Sequence, residues 1–329
     1  MTESEGRKSG FVAIVGRPNA GKSTLLNRVL GSEVSVVTPK AQTTRERVLG
    51  IHTEERGQLV FIDTPGIHNA REGGINEYMV EEARRGLEEP TVVWYLVDPR
   101  SELEHERAVL SLLKNVRAPI FLIINKIDLV GRSQVTDDRI ISLRNTLEGE
   151  LKEQGTAEVR SYRLSGEHGD GTEDLMADTW EKLPVGPLHF PDEEQISDRP
   201  VRFFVAEKIR EQLYKQLGDE LPYSCAVEIN RFVEPLGPAG SEHADAKPGL
   251  TRIEATIHVE RESQKGMVVG KGGLKIKQIG STARVAIEDF VGTKVFLGLK
   301  VDVLKDWTRN AEQLRRLGYE LPKQKGRKR

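Results

Sequence analysis

One cysteine, Cys225, in 329 residues excludes an intramolecular disulfide and any metal site built from cysteines, and it fits a reducing, cytoplasmic compartment. Cys225 itself reads as a small core residue. Long hydrophobic runs are also missing: no stretch approaches the roughly 20 apolar residues that span a bilayer. With 37% hydrophobic and 30% charged residues, the composition is that of a soluble globular protein. The polar first ten residues lead straight into a strand-like run and suggest neither a signal nor a transit peptide. Net charge is nearly absent, with 49 Lys and Arg against 51 Asp and Glu. Divided at Pro184, the halves differ in sign: 24 basic against 30 acidic residues before it, 25 against 21 from it onward. So modest an asymmetry does not by itself point to a nucleic acid, and that case must rest on local clustering. No internal repeat is present.

Length favours about two domains. In the first half, the apolar runs 11–15, 59–62, 92–97 and 120–124 read as buried strands, with 160–164 as a further strand. Stretches 22–30, 75–87, 105–115, 137–152 and 171–183 have helical periodicity. This alternation predicts a doubly wound α/β fold with a mostly parallel sheet over residues 1–183. Residues 184–200, which contain several prolines, read as a linker. The second half opens on an amphipathic helix, 201–217, with Phe203, Phe204, Ile209 and Leu213 on its apolar stripe. Segments 223–233 and 253–261 alternate as antiparallel strands around a long turn. A glycine cluster, a helix over 274–290 and a strand over 294–303 follow. The order α-β-β-α-α-β predicts an α+β domain over 201–305, then a C-terminal helix and basic tail over 306–329.

Gly16-Arg17-Pro18-Asn19-Ala20-Gly21-Lys22-Ser23 fits the G-x-x-x-x-G-K-[ST] phosphate loop, between a predicted strand and a predicted helix, with Thr24 beside it. Its backbone N–H groups and the helix N-terminus favour phosphate, Lys22 reaches the β/γ oxygens, and Ser23 offers a hydroxyl to Mg²⁺. Asp63-Thr64-Pro65-Gly66 ends the next long apolar strand, where Asp63 can hold the Mg²⁺ shell and the Gly66 amide can sense a γ-phosphate. Asn125-Lys126-Ile127-Asp128 closes another strand. The Asp128 carboxylate can accept two N–H bonds from guanine, and adenine presents no such pair, so GTP and GDP are expected rather than ATP. Ser165 and Gly166 lie where a backbone N–H could read the guanine O6, or where a plain strand-helix turn would suffice. Thr43 or Thr44 could complete the Mg²⁺ shell, with Thr44 favoured.

These four motifs, in this order and spacing, resemble the translation-factor-related GTPases, and Lys40-Ala41-Gln42-Thr43-Thr44-Arg45 looks like the matching segment of the Era family. The second half is similar to a type II KH domain, and the Era family joins one GTPase domain to one KH domain. The resemblance covers nearly the whole chain. It implies a GTPase with slow intrinsic turnover that binds 16S rRNA near its 3′ end and assists assembly of the 30S subunit. It also implies peripheral association with the inner membrane; a monomer is expected. Gly166 departs from the alanine usual in the family's fifth motif; the acidic turn 234–249 and the basic end are further departures. Ile67, after Gly66, has no group to orient water, whereas many GTPases place a glutamine there. Asn19 stands where potassium-activated relatives ligate a monovalent cation, so K⁺ is an implied cofactor and Asn19, with Lys22, Thr44 and Gly66, an implied catalytic residue. A merely loop-shaping Asn19 is the alternative.

Gly270-Lys271-Gly272-Gly273 fits the KH G-x-x-G loop, in which backbone poor in side chains approaches RNA phosphates. Arg261, Lys265, Lys271, Lys275, Lys277 and Arg284 surround it, with Glu262 the one opposing charge between 261 and 285. Val268, Val269 and Ile276 read either as the floor of a groove for bases or as core. A P-loop kinase or ATPase is opposed by Asn125 to Asp128, and an RNA-binding protein with an inactive GTPase domain by the presence of Lys22, Ser23 and Asp63.

Overall fold

In β1 (Lys8–Gly16), Val12, Ala13, Ile14 and Val15 have no exposed surface, which a strand achieves inside a sheet covered on both faces. The computed structural model describes residues 6–38, 40, 43–67, 73–132, 135–218, 220–235 and 249–319. The acidic turn and the basic end singled out in the sequence lie largely outside them. The chain folds into two units, one of residues up to 71 with 79–198, the other of 72–78 with the residues from 199 onward.

In the first unit the order is β1, α1 (Lys22–Leu30), β2 (Val48–Glu54), β3 (Gly57–Asp63), the part of α2 (Gly74–Arg85) from Met79 onward, β4 (Val92–Val97), α3 (Leu103–Leu113), β5 (Ile120–Ile124), α4 (Asp137–Glu153), β6 (Val159–Arg163) and α5 (Thr172–Lys182). The six strands form one sheet in the order β2-β3-β1-β4-β5-β6. All neighbours run parallel except β2 and β3. Every residue of β4 is buried. Val93, Tyr95 and Val97 pack with α3 and α4 residues in one core, and on the alternate face the Trp94 ring meets Phe61 at 5.0 Å. This is the doubly wound arrangement, and it gathers the ends of β1, β3, β5 and β6 at one edge.

The structure adds a strand that the apolar runs do not show. β2, Val-Leu-Gly-Ile-His-Thr-Glu, mixes polar and apolar residues and pairs antiparallel with β3 from Val48↔Asp63 to Glu54↔Gly57. As an edge strand it would present unpaired backbone groups. The stretch expected to be a linker covers it. Ile51 N–H donates to the Ile196 carbonyl at 2.9 Å, Ser197 Oγ donates to the Leu49 carbonyl at 2.6 Å, and Leu49 N–H donates to Asp198 Oδ1 at 3.3 Å. Farther back, Ser9 N–H donates to the Pro184 carbonyl and Gln58 exchanges two hydrogen bonds with the Phe190 backbone. Residues 184–198 are therefore laced to the first unit, because the prolines suppress regular structure without preventing backbone pairing with an edge.

The second unit contains α6 (Val201–Gln216), β7 (Ala226–Val233), β8 (Leu250–Val259), α7 (Glu262–Val269), α8 (Leu274–Val291), β9 (Lys294–Val303) and α9 (Ala311–Arg316). β7 pairs antiparallel and β9 parallel with β8. Val205, Ile209 and Leu213 of α6 join Ile279, Ala283 and Ile287 of α8 over the sheet. Val205 takes the buried place expected of Phe203, which stays partly exposed. Cys225 is fully buried, as a small core residue.

Trp94 Nε1–H donates to Thr179 Oγ1 at 3.0 Å inside the first core, and both residues have no exposed surface. Thr179→Val keeps the shape but strands the indole N–H, so urea unfolding is expected to show a loss of about 1–3 kcal/mol. A loss below about 0.5 kcal/mol would mean that the bond contributes nothing net.

Candidate functional site

Asn125 follows β5 with 2% exposure, and its amide joins three loops. Nδ2–H donates to the Ala20 carbonyl at 2.8 Å, and Oδ1 accepts from Gly166 N–H at 2.8 Å. A Cβ on Gly21 would stand 2.2 Å from Asn125 Nδ2, and Gly21 has φ +95°, so only glycine lets the phosphate loop close on the asparagine. Of the two backbone N–H groups considered for the base, that of Gly166 bonds Asn125 and that of Ser165 donates to the Asp170 carbonyl at 3.0 Å. Ser165 acts through its side chain instead: Oγ donates to Asp128 Oδ1 at 2.6 Å, which orients the carboxylate. Arg28 of α1 donates from Nε to the Gly166 carbonyl at 3.0 Å, fixing the same turn.

Lys22, at the start of α1, is 6% exposed. Its Nζ donates to the carbonyls of Gly16 and Arg17, both at 3.1 Å. Burial pushes this ammonium down to about 8, opposed by the negative fields of Asp63 and Glu106. Asp63, at the end of β3, has no exposed surface. Its carboxyl is raised by burial, against the pull of Lys22 and the hydroxyls of Ser23 and Ser35. Asp63 Oδ2 accepts from Ser23 Oγ and Ser35 Oγ, each at 2.9 Å. Thr44 Oγ1 lies 3.2 Å from Ser23 Oγ. Asp63 Oδ1 is buried without a hydrogen-bond partner. Two hydroxyls and an orphaned carboxylate oxygen are the hard oxygen donors that suit Mg²⁺. Thr43 borders the same cleft, with Pro18, Asn19, Thr24 and Gly66.

Gly66 touches the loop directly, since a Cβ there would lie 2.7 Å from Pro18 Cα. Ile67 N–H donates to the Gly16 carbonyl at 3.1 Å, and the Ile67 side chain is buried in the core, where it cannot orient a water. Thr64 Oγ1 donates to the Ile14 carbonyl at 2.7 Å, which ties Pro65 and Gly66 to β1.

Several site residues escape motif reasoning. Asp98, just past β4, pairs with Lys126 at 2.9 Å, and Lys126 Nζ also donates to the Asn19 carbonyl. Burial works against the Asp98 charge, yet Arg100 and Lys126 hold its carboxyl well below the usual range. Its place at the end of a parallel strand, like Asp63 and Asn125, was a signal available in the sequence. Ser35 left no such signal: Asn27 of α1 positions it by accepting from the Val34 and Ser35 N–H groups and donating to the Ser35 carbonyl.

In the second unit, Gly270, Gly272 and Gly273 have φ of +71°, +60° and +77°. They make the turn between α7 and α8, with Lys271 and Gly272 exposed. A Cβ on Gly270 would stand 2.6 Å from Lys275 Cβ, so the turn requires glycine. Gln264 Oε1 accepts from the N–H groups of Glu260 and Arg261 at 2.9 and 3.0 Å and caps α7. Lys277 and Arg284 rim a groove of about 290 Å³ between α8 and β9, floored by Ile276, Leu297 and Leu299. Val268, a candidate for that floor, is fully buried core, and Val269 does not line the groove. Arg261 is exposed at the N-cap of α7, at the end of the helix away from the glycine turn, Lys265 is half-buried within α7, and Arg284 pairs with Glu288 at 3.3 Å.

A family model described as a 50S ribosome-binding GTPase matches residues 11–126, and a KH domain model matches residues 220–308. GTPase Era of Geobacter metallireducens is 44% identical over 313 residues, covering 95% of this chain and 98% of its own length. The chain belongs to the Era family of GTPases. Era of Geotalea uraniireducens is also 44% identical, over 97% of this chain and all of its own length. A variant of Aquifex aeolicus Era bound to GDP and AlF₄⁻ matches the structure with a TM-score of 0.83 at 36% identity, covering 95% of this chain and all of that one. Era in complex with MgGDPNP and nucleotides 1506–1542 of 16S ribosomal RNA matches at 0.82 and 36%, covering 96% and 100%. As an Era-family protein this chain hydrolyses GTP, and among its described residues no helix is long and apolar enough to cross a membrane.

The expectation that Asp128 reads the base is tested by exchange of its hydrogen-bonding character. Asp128→Asn is expected to lose GTP affinity and gain affinity for xanthosine triphosphate, because the amide can donate to the added base carbonyl. Competition binding measures this. Unchanged GTP affinity with no gain for the xanthine nucleotide would remove Asp128 from base recognition.

Proposed function

We propose that this chain is a Mg²⁺-dependent GTPase switch that binds 16S rRNA near its 3′ end through the KH unit and assists assembly of the 30S subunit. The observation that carries the reading is the match, over 96% of the chain, to an Era structure containing MgGDPNP and a 16S rRNA fragment. The basic, glycine-built turn beside an apolar groove supports it independently. Ser23, Thr44 and Asp63 would hold Mg²⁺, which neutralises charge on the β- and γ-phosphates when bound. Lys22 would exchange its two carbonyl partners for phosphate oxygens, and the Gly66 amide would meet the γ-phosphate. Asp128, held by Ser165, would take the guanine edge. A cytoplasmic monomer with peripheral inner-membrane association completes the family reading.

With Ile67 buried, no side chain at that position orients the attacking water, and Asn19 at the loop tip is the proposed K⁺ ligand. Hydrolysis is expected to run faster in K⁺ than in Na⁺ at equal ionic strength, and Asn19→Ala should abolish the difference while keeping GTP binding. Equal rates in the two salts would refute the cation role.

Replacing Lys271 and Gly272 together with Asp sets two carboxylates against RNA phosphates in an exposed turn. Binding of a single-stranded RNA ending in the small-subunit 3′ sequence should be lost, with intrinsic GTP hydrolysis within about twofold of the parent's. For the parent, each neutralised phosphate should contribute about −0.7 to the slope of log affinity against log salt. A folded double variant with the parent's affinity and slope would overturn the RNA assignment.

A further inference from the structure

Glu106 of α3 is 1% exposed, and no motif places it in the reaction. Its carboxylate closes a chain of hydrogen bonds that begins in the phosphate loop. Arg17 Nη1 donates to Ser101 Oγ at 3.0 Å, Ser101 Oγ donates to Glu106 Oε1 at 2.5 Å, and Tyr95 OH donates to Glu106 Oε2 at 2.8 Å. The order of donation is fixed, because a guanidinium has no acceptor and the serine hydroxyl has one proton. That proton must go to the carboxylate. We propose that Glu106 is a positioning residue that, through Ser101 and Arg17, sets the phosphate loop against Gly66 for the hydrolytic step.

The loop transmits the position of Arg17 with little slack. The Arg17 carbonyl accepts from Lys22 Nζ at 3.1 Å and from Ala20 N–H at 3.3 Å. Pro18 comes next, and its backbone packs so closely on Gly66 that no Cβ fits between them. A shift of Arg17 therefore reaches both the lysine and the amide that faces a γ-phosphate. The opposite wall of the loop has anchors of its own besides its link to Arg17: Asn125 on the Ala20 carbonyl, and α1. Losing the Glu106 chain should consequently disturb the reacting end of the nucleotide and spare the diphosphate and base. Burial raises the Glu106 carboxyl, while the Ser101 and Tyr95 hydroxyls and the fields of Arg17 and Lys22 oppose it. Removing this carboxylate would leave the Ser101 and Tyr95 hydroxyls unpaired in the interior. The Ser101 branch continues to Arg17 and the phosphate loop.

The test compares kcat for GTP and Kd for GDP in the full chain, Ser101→Ala, Glu106→Gln and the double variant. In Glu106→Gln the amide offers one acceptor where two hydroxyls donate. Each single variant is expected to lower kcat about tenfold, since small misplacements of reacting groups cost rate steeply. GDP affinity should stay within about twofold, and the double variant should be no slower than the slower single one. Tyr95→Phe removes a hydroxyl from Glu106 but leaves the chain to Arg17, so it should lower Tm and keep kcat within about twofold. If Glu106→Gln fails to fold, Ser101→Ala and Tyr95→Phe decide the question. Unchanged kcat in folded Ser101→Ala would overturn the proposal. So would parallel losses of kcat and GDP affinity, additive losses in the double variant, or a Tyr95→Phe defect equal to that of Ser101→Ala.

Discussion

The buried amide of Asn125 is the fixed point of the nucleotide site. One side chain, hydrogen-bonded to Ala20 and Gly166, locks together the phosphate loop, the end of β5 and the turn after β6, which are remote in sequence. An amide suits this position because it donates and accepts at once without carrying charge. A carboxylate would set its second oxygen against the Ala20 carbonyl, and an aliphatic residue would leave Ala20 and Gly166 unpaired in the interior. Gly21 makes room for this amide, and the turn that the amide holds carries Ser165, whose hydroxyl donates to Asp128.

Around it lies a group of charges that the fold buries before any ligand arrives. Lys22, Asp63 and Glu106 are each less than a tenth exposed, and burial disfavours the charged form of all three. They partly offset one another; hydroxyls of Ser23, Ser35, Ser101 and Tyr95 donate to the two carboxylates, and the Gly16 and Arg17 carbonyls accept from Lys22. A site organised this way solvates its buried charges with fixed dipoles of the fold.

The second unit meets a different requirement. RNA backbone needs an exposed turn free of side-chain bulk next to a groove that accepts a base. On the proposed reading, the three positive-φ glycines between α7 and α8 would supply the turn, and Ile276, Leu297 and Leu299 the floor. The groove is floored from α8 and β9 because the parallel pairing of β8 with β9 brings the last strand beside the helix that precedes it.

The sequence by itself determined the elements whose signal is local. Continuous apolar runs mark β1, β3, β4 and β5, and the stretch 294–303 coincides with β9. The motif glycines and polar residues mark the nucleotide loops and the G-x-x-G turn, because backbone conformation there admits few residue types. Tertiary structure alone decided the rest. β2 forms because β3 offers it a partner, not because its own seven residues announce a strand. Residues 184–198 look like a tether until the open edge of β2 gives their backbone somewhere to bond. Asp98, Ser35, Ser101 and Glu106 acquire their roles from neighbours brought in by the sheet, and the Gly166 N–H finds its acceptor in the Asn125 side chain. A sequence records what each residue can donate, accept or fill; which partner lies within about 3 Å is set by strand order and packing.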